Sequence, residues 1–179
     1  MAEPFSSLYP DSPARARILS RPHLLDLRAR MRAEGRRVVA TNGCFDLLHV
    51  GHVRYLEEAR SLGDVLVVGI NSDSSAGKLK GSGRPVNSAS ERAEVVASLH
   101  CVTAVTIFDE DTALELVEVL KPDVYVKGGD YSADPEDEAY PPEAHAVSRD
   151  GGKVAIVSLT PGRSTTRILE QIAEDRTDR

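Results

Sequence analysis

A chain of 179 residues is long enough for one domain with a sizeable core and too short for two ordinary ones. Its 41% apolar and 28% charged residues stand near globular averages and argue against disorder outside the ends. A formal net charge of -6 leaves no general basic surface for a nucleic-acid backbone, which argues against DNA or RNA as partners, although a local cation cluster could still hold a small phosphorylated ligand. Cys44 and Cys101 lie far apart in no CxxC pattern, so reduced thiols and no disulfide framework are expected. No basic segment followed by an apolar stretch opens the chain, and no run approaches the roughly 20 apolar residues of a membrane span. The expected location is the cytoplasm.

Residues 1–12, with Pro4, Pro10 and scattered serines, carry no apolar period and read as a flexible leader; 13–179 read as a single domain. Over 13–34, Ile18, Leu24, Leu25, Leu27 and Met31 recur at helical spacing, interrupted at Pro22, with Gly35 as a stop. Their apolar side could serve a homodimer as easily as the core. A core over 36–175 follows, in which the valine- and isoleucine-rich runs 38–40, 65–70, 102–108, 124–126 and 154–159 read as buried strands. Helical stretches at 50–61, 88–99 and 111–120 separate the first four. Strands alternating with helices predict an α/β, Rossmann-like open parallel sheet with helices on both faces. Ser88 with Glu91 fits a capping box, Asp111 is a good N-cap, and Pro122 ends the third helix. The acidic, proline-containing run 132–145 reads as a surface loop. Ser164 is placed to cap a last amphipathic helix, and the final residues fray.

In such a sheet ligands bind beyond the carboxyl ends of the strands, and the informative residues do follow strands. Familiar nucleotide loops are absent. "GSGRPV" has Val86 where a dinucleotide fingerprint needs its third glycine, and Gly77-Lys78 is followed by Leu79 and preceded by Ser72 where a P-loop needs its first glycine. Neither GxSxG nor HExxH occurs.

What remains is "TNGCFDLLHVGH", residues 41–52. Zinc would need a third protein ligand, and Cys44 is the only soft residue nearby. If Val50 opens a helix, His49 and His52 project to one side of its N-terminus together with free backbone N–H groups, which makes an anion site. Gly51 would let a phosphate approach the backbone, and a neutral imidazole still donates from its ring N–H. The helix dipole disfavours imidazolium and a polyphosphate favours it, so both protonation states stay open. Alignment and charge stabilisation at an α-phosphate, with no covalent intermediate, would be the chemistry of such a site.

"GCFDLLHVGH" resembles the signature of the cytidylyltransferase-like nucleotidyltransferase superfamily, whose members join a nucleoside triphosphate to a phosphorylated acceptor and release pyrophosphate. Together with "NSDSSAGKLKGSGRPVN", "VKGGDY" and "STTRIL", it resembles the subfamily that adenylylates D-glycero-β-D-manno-heptose 1-phosphate to ADP-heptose, collinearly over 24–172. The resemblance implies ATP and a sugar 1-phosphate as substrates, with Mg²⁺ carried by the triphosphate. It places His49 and His52 on the triphosphate and transition state, and Asn42, Gly43, Cys44, Phe45 and Gly51 in the nucleotide turn. Asp46 could orient that loop or contact Mg²⁺ through water. Lys80, Arg84 and Arg92 become the cations for the acceptor phosphate and the charge on the transferred group, with Lys80 and Arg84 in a glycine-containing loop and Lys78 a weaker candidate. Lys127, Gly128, Gly129 and Asp130 follow a strand and would approach base or ribose. Ser164, Thr165 and Thr166 would hold β- and γ-phosphates at a helix N-terminus, with added charge from Arg167. Members often carry a sugar kinase domain ahead of this one, for which this length leaves no room, so a separate kinase is expected to supply the sugar phosphate. Glycerol 3-phosphate with CTP, FMN with ATP, and a noncatalytic nucleotide-binding module are the alternatives.

Overall fold

The computed structural model describes residues 12–177 apart from 130, 133, 159 and 161. Residues 1–11 of the leader expected at 1–12, Asp130, and Leu159 at the end of the fifth run therefore lie outside the described residues. Five parallel strands stand in the order β3-β2-β1-β4-β5: β1 Val38–Gly43, β2 Val65–Asn71, β3 Ala104–Phe108, β4 Val124–Gly128 and β5 Lys153–Val157. The helices are α1 Arg21–Ala33, α2 Val50–Ser61, α3 Asp73–Lys80, α4 Ala89–Ala97, α5 Leu114–Leu120, α6 Ala144–Arg149 and α7 Thr165–Thr177, preceded by a 3-10 turn at Ala14–Arg17.

Apolar runs that look continuous in sequence divide by strand period between two cores. Val38, Ala40, Val65 and Val67 face one side, against Leu24 and Leu27 of α1, Leu116 and Val117 of α5, and Val147 of α6. Val39, Leu66 and Val68 face the other, against Tyr55 and Leu56 of α2 and Ala93 and Val96 of α4. Each fully buried leucine here contributes about 2 kcal/mol of transfer free energy. The apolar side of α1 is thus engaged by the core.

The chain winds outward from β1 to β2 and β3, then returns to the other side of β1 to lay down β4. Register joins Val38↔Val65 on one flank of β1 and Val39↔Val124 on the other. Strand order reverses between β1 and β4, and a crevice opens at their carboxyl ends.

Several boundaries differ from the sequence reading. Pro22 sits in the first turn of α1, where its missing N–H is no loss, so it starts the helix instead of interrupting it. Gly35 (φ +66°) does stop α1: its N–H donates to Arg32 O, and Arg36 N–H donates to Met31 O. Asp111 is not an N-cap. Helix α5 begins at Leu114 without a side-chain cap, and Asp111 pairs with Lys78 at 2.6 Å. Lys80 is the last residue of a helix, α3, capped by Ser72, rather than part of a loop. The run 132–145 is more than surface, since Tyr140, Glu143 and Ala144 are buried and Ala144 opens α6.

Candidate active site

The stretch after β1 turns sharply at Phe45, whose φ of +45° is rare for an aromatic residue. Its ring folds back over Gly43, where a Cβ would stand 2.9 Å from Phe45 Cε2, and lies 5.4 Å from the His52 ring. Asp46 then pins the loop to the segment before α4. Oδ1 accepts from Val86 N at 2.8 Å and Asn87 N at 3.2 Å, and Oδ2 accepts from Arg84 Nε at 2.6 Å. Burial pushes the Asp46 carboxyl up, but these N–H groups and the Arg84 charge outweigh it and hold it below its ordinary value. Both carboxylate oxygens are engaged by protein donors, as a loop anchor requires.

Val50 opens α2, as the spacing predicts, with His49 as N-cap. His49 Nδ1 accepts from Gly51 N–H at 3.1 Å, and His52 Nδ1 accepts from His49 N–H at 3.4 Å, a reciprocal cap made of two imidazoles. The rings stack with centroids 3.9 Å apart. With each Nδ1 an acceptor, both rings are Nε2–H tautomers, and those two N–H groups are what the pair offers to the cleft. Burial, then the charges of His49 and Lys80, lower the His52 pKa to about 4; burial and then Arg163 lower that of His49. Both are neutral donors at pH 7. Gly51 lies in the crevice wall and also makes room for the His49 ring: a Cβ there would come within 2.9 Å of His49 Cε1 and Nδ1.

Beneath the loop, Thr41 Oγ1 donates to Tyr55 OH at 2.6 Å and Tyr55 OH donates to Val126 O at 3.0 Å, tying β1, α2 and β4 together. Across the crevice stands a second polar group. Lys127 Nζ donates to Asn42 Oδ1 at 3.0 Å and pairs with Glu143 Oε1 at 2.6 Å. The Tyr125 hydroxyl lies 2.6 Å from Asn42 Oδ1 and 2.5 Å from Glu143 Oε1. Burial pushes Glu143 up, but the Lys127 charge and hydrogen bonds to Lys127 and Tyr125 outweigh it, so the pair stays ionised. Tyr131 covers it, with Lys127 Nζ 5.0 Å from the ring centroid.

The crevice encloses about 660 Å³, within the range of small-molecule sites. Its walls bring together, of the predicted residues, Asn42 to Asp46, His49, Gly51, His52, Lys80, Arg84, Lys127, Gly128 and Ser164 to Thr166. Ser164 Oγ accepts from Arg167 N–H at 3.1 Å as the cap of α7, and Thr165 Oγ1 donates to Leu47 O at 3.1 Å, fastening that helix to the histidine loop. Burial raises the thiol pKa of Cys44, which leaves it a wall residue that is mostly protonated at neutral pH.

Other predicted residues are not in the walls. Arg92 is 1% exposed and lies beneath the loop, its nitrogens donating to Asn87 O, Cys44 O, Asn71 O and Asp73 Oδ1. That set corrects its assignment to the acceptor phosphate: it is a brace. Gly129 (φ +86°) turns the chain away and donates to Val157 O at 3.3 Å. Lys78 is tied to Asp111, and Arg167 lies outside the walls. Glu143 and Arg163 are wall residues that the sequence reading missed. Adjacency to the Ser-Thr-Thr run could have pointed to Arg163; nothing local marks Glu143.

The family model for cytidylyltransferase-like proteins matches residues 40–171. The chain is 50% identical over 164 residues to "Bifunctional protein HldE" of Syntrophotalea carbinolica, covering 89% of this chain and 31% of that protein. Against the protein of the same name from Geobacter sulfurreducens it is 53% identical over 141 residues, covering 79% of this chain and 28% of the relative. It thus spans less than a third of these relatives' length. Among solved structures, the lipopolysaccharide core biosynthesis protein of Thermoplasma volcanium GSS1 matches with a TM-score of 0.56 and 31% identity, over 70% of this chain and 98% of the other. The parallel sheet with its crevice at the β1/β4 switch point defines an α/β nucleotide-binding class. Within that class the chain belongs to the cytidylyltransferase-like family of nucleotidyltransferases.

Proposed function

We propose that this chain, with 13–179 as one nucleotidyltransferase domain, transfers AMP from ATP to D-glycero-β-D-manno-heptose 1-phosphate, releasing pyrophosphate and forming ADP-heptose. The observation that carries the chemistry is the stacked pair of neutral imidazoles with both Nδ1 atoms engaged by backbone N–H groups. The choice of sugar rests on the resemblance of "KGSGRPVN" and "VKGGDY" to heptose 1-phosphate adenylyltransferases, and on the likeness to a lipopolysaccharide core biosynthesis protein.

An oxygen of the sugar phosphate attacks the α-phosphorus of ATP in line; the new P–O bond forms as the bond to the β-phosphate oxygen breaks, and that electron pair leaves with pyrophosphate. The Nε2–H groups of His49 and His52 donate to the oxygens that gain charge, and Lys80 adds a cation from the end of α3. Arg84, aligned by Asp46, faces the acceptor phosphate. The N-terminus of α7 with Ser164, Thr165 and Thr166 receives the β- and γ-phosphates. No nucleophile from the chain is required.

Among the described residues no group of three His, Cys, Asp or Glu could hold a metal ion, and Asp46 has both oxygens engaged. These residues do not fit a resident ion. In this reading Mg²⁺ is carried by the triphosphate as part of the substrate, where it would neutralise phosphate charge. No helix among the described residues is long and apolar enough to cross a membrane.

The test is pyrophosphate release with Mg²⁺, using ATP and CTP each against heptose 1-phosphate, glycerol 3-phosphate and FMN. Release with ATP and the heptose phosphate alone is the expected result. Release with a different pair would overturn the acceptor, and silence with every pair would overturn the catalytic reading.

A further inference from the structure

A second cavity, of about 350 Å³, lies at the amino ends of the strands. Val65, the first residue of β2, is in its wall, whereas Asn71, the last, is in the wall of the active-site crevice. Seven strand residues separate the two sites, about 20 Å. Four arginines line this cavity against two carboxylates, Glu57 and Asp64, in a chain whose net charge is -6.

Arg17 is the decisive residue. It is 4% exposed, and among the described residues its one hydrogen bond runs from Nη1 to Val102 O at 2.8 Å. Its Nε is buried without a partner, and it forms no ion pair among those residues. Burial lowers its pKa, yet a guanidinium stays charged at neutral pH, so a cation sits inside the protein with no counter-charge paired to it among the described residues. The neighbouring arginines do not share this condition. Arg60 donates to Gly63 O, and Arg30 and Arg36 reach Glu34 at 2.7 and 3.7 Å.

We infer that this cavity binds the phosphate of a small phosphorylated organic molecule, with Arg17 and Arg60 as its principal donors. Guanidinium forks match oxyanions, and a phosphate can take donors from several arginines at once where a carboxylate takes fewer. The volume exceeds what a lone phosphate fills, and Leu27, Met31 and Val65 supply an apolar floor for an organic body. The site is separate from the crevice and does not depend on which sugar the active site accepts.

Cys101 is half-buried in the cavity wall and reports on occupancy. Its alkylation by iodoacetamide, followed by peptide mass spectrometry so that Cys44 is read separately, is measured with phenyl phosphate, benzoate and benzyl alcohol. Phenyl phosphate at about ten times its dissociation constant slows Cys101 about tenfold. Benzoate slows it less, benzyl alcohol leaves it unchanged, and the protection persists in His52→Ala, which alters only the crevice. Arg17→Gln removes the protection; because that buried arginine also supports Val102, Arg60→Gln serves as the second variant and weakens protection in a chain whose thermal unfolding is unchanged. No protection by phenyl phosphate up to about 10 mM, in the millimolar range of weak binding, overturns the site. Equal protection by benzyl alcohol, or protection undiminished in both arginine variants, does the same. Benzoate equal to phenyl phosphate overturns the choice of phosphate.

Discussion

On the α2 wall of the crevice, the Nδ1 atoms of His49 and His52 accept from the Gly51 and His49 backbone N–H groups, which leaves Nε2–H as the donor of each ring. On the β4 wall, Lys127, Glu143, Tyr125 and Asn42 engage one another, and the charge of the lysine is neutralised inside the protein. Both walls are polar networks, the first half-buried and the second built on the buried Lys127 and Glu143, but they differ in what they leave over. The first presents fixed donors, which suits charge that develops during reaction; the second presents a neutral, interlocked surface, which suits the uncharged parts of a nucleotide or sugar. Reactivity and shape are assigned to opposite sides of one cleft.

Removing a donor from the α2 wall should have the largest effect. His52→Ala is expected to lower kcat by about 10²–10³ while the KM for ATP moves only a few-fold, because the lost contact strengthens in the transition state. A steady-state assay in which KM alone rises would assign the imidazole to substrate binding instead. Gly51→Ala should come next. The added carbon meets the His49 ring at 2.9 Å and must displace it, and a shift of that kind costs about 10² in turnover. Near-normal turnover in this variant would show that the stack is not needed.

The β4 wall should respond in stability before it responds in rate. Glu143→Gln leaves Lys127 charged and buried without its counter-ion, at a cost of about 3–5 kcal/mol in a urea titration, with kcat changed less than in the two variants above. Equal losses of kcat from both walls would erase the distinction between them. The smallest effect at neutral pH concerns proton uptake. The unfolded His52 imidazole takes a proton near 6.5, and the folded one does not until about 4. Between those values the unfolded state binds more protons, so this residue makes stability rise with pH across the window and adds nothing above it. NMR titration should place the His52 midpoint near 4, and His52→Gln should flatten the slope; a midpoint near 6.5 would contradict the burial argument.

Strand-helix alternation and the anion-binding turn were legible because both rest on local rules. The valine-rich runs report burial on two faces, the Gly43 to His52 stretch sits between a strand and a helix start, and Ser88 and Ser164 are caps of ordinary spacing. What escaped the sequence depends on distant partners. Helix α3, "DSSAGKLK", has too few apolar residues to show a period, and it is fixed by Ser75 Oγ donating to Glu110 O and accepting from Asn71 Nδ2. Asp111 had the right residue type for a cap, but Lys78 lies within reach in space. Arg92 reads as an exposed cation until the carbonyls of Cys44, Asn71 and Asn87 are seen around it. Glu143 is sixteen residues from Lys127, in a run whose prolines and acids suggest solvent.

Helix α7 sets Thr165 and Thr166 of its first turn in the crevice wall, yet farther along it is poorly covered, with Ile172 51% exposed. A helix anchored mainly at one end separates from the body at lower free energy than the sheet comes apart. Its amides should therefore exchange with deuterium well before those of β1 and β2. Occupancy of the crevice, by loading the anchored end, should slow that exchange along the whole of α7, so the far end of the helix becomes a remote gauge of whether the triphosphate is bound.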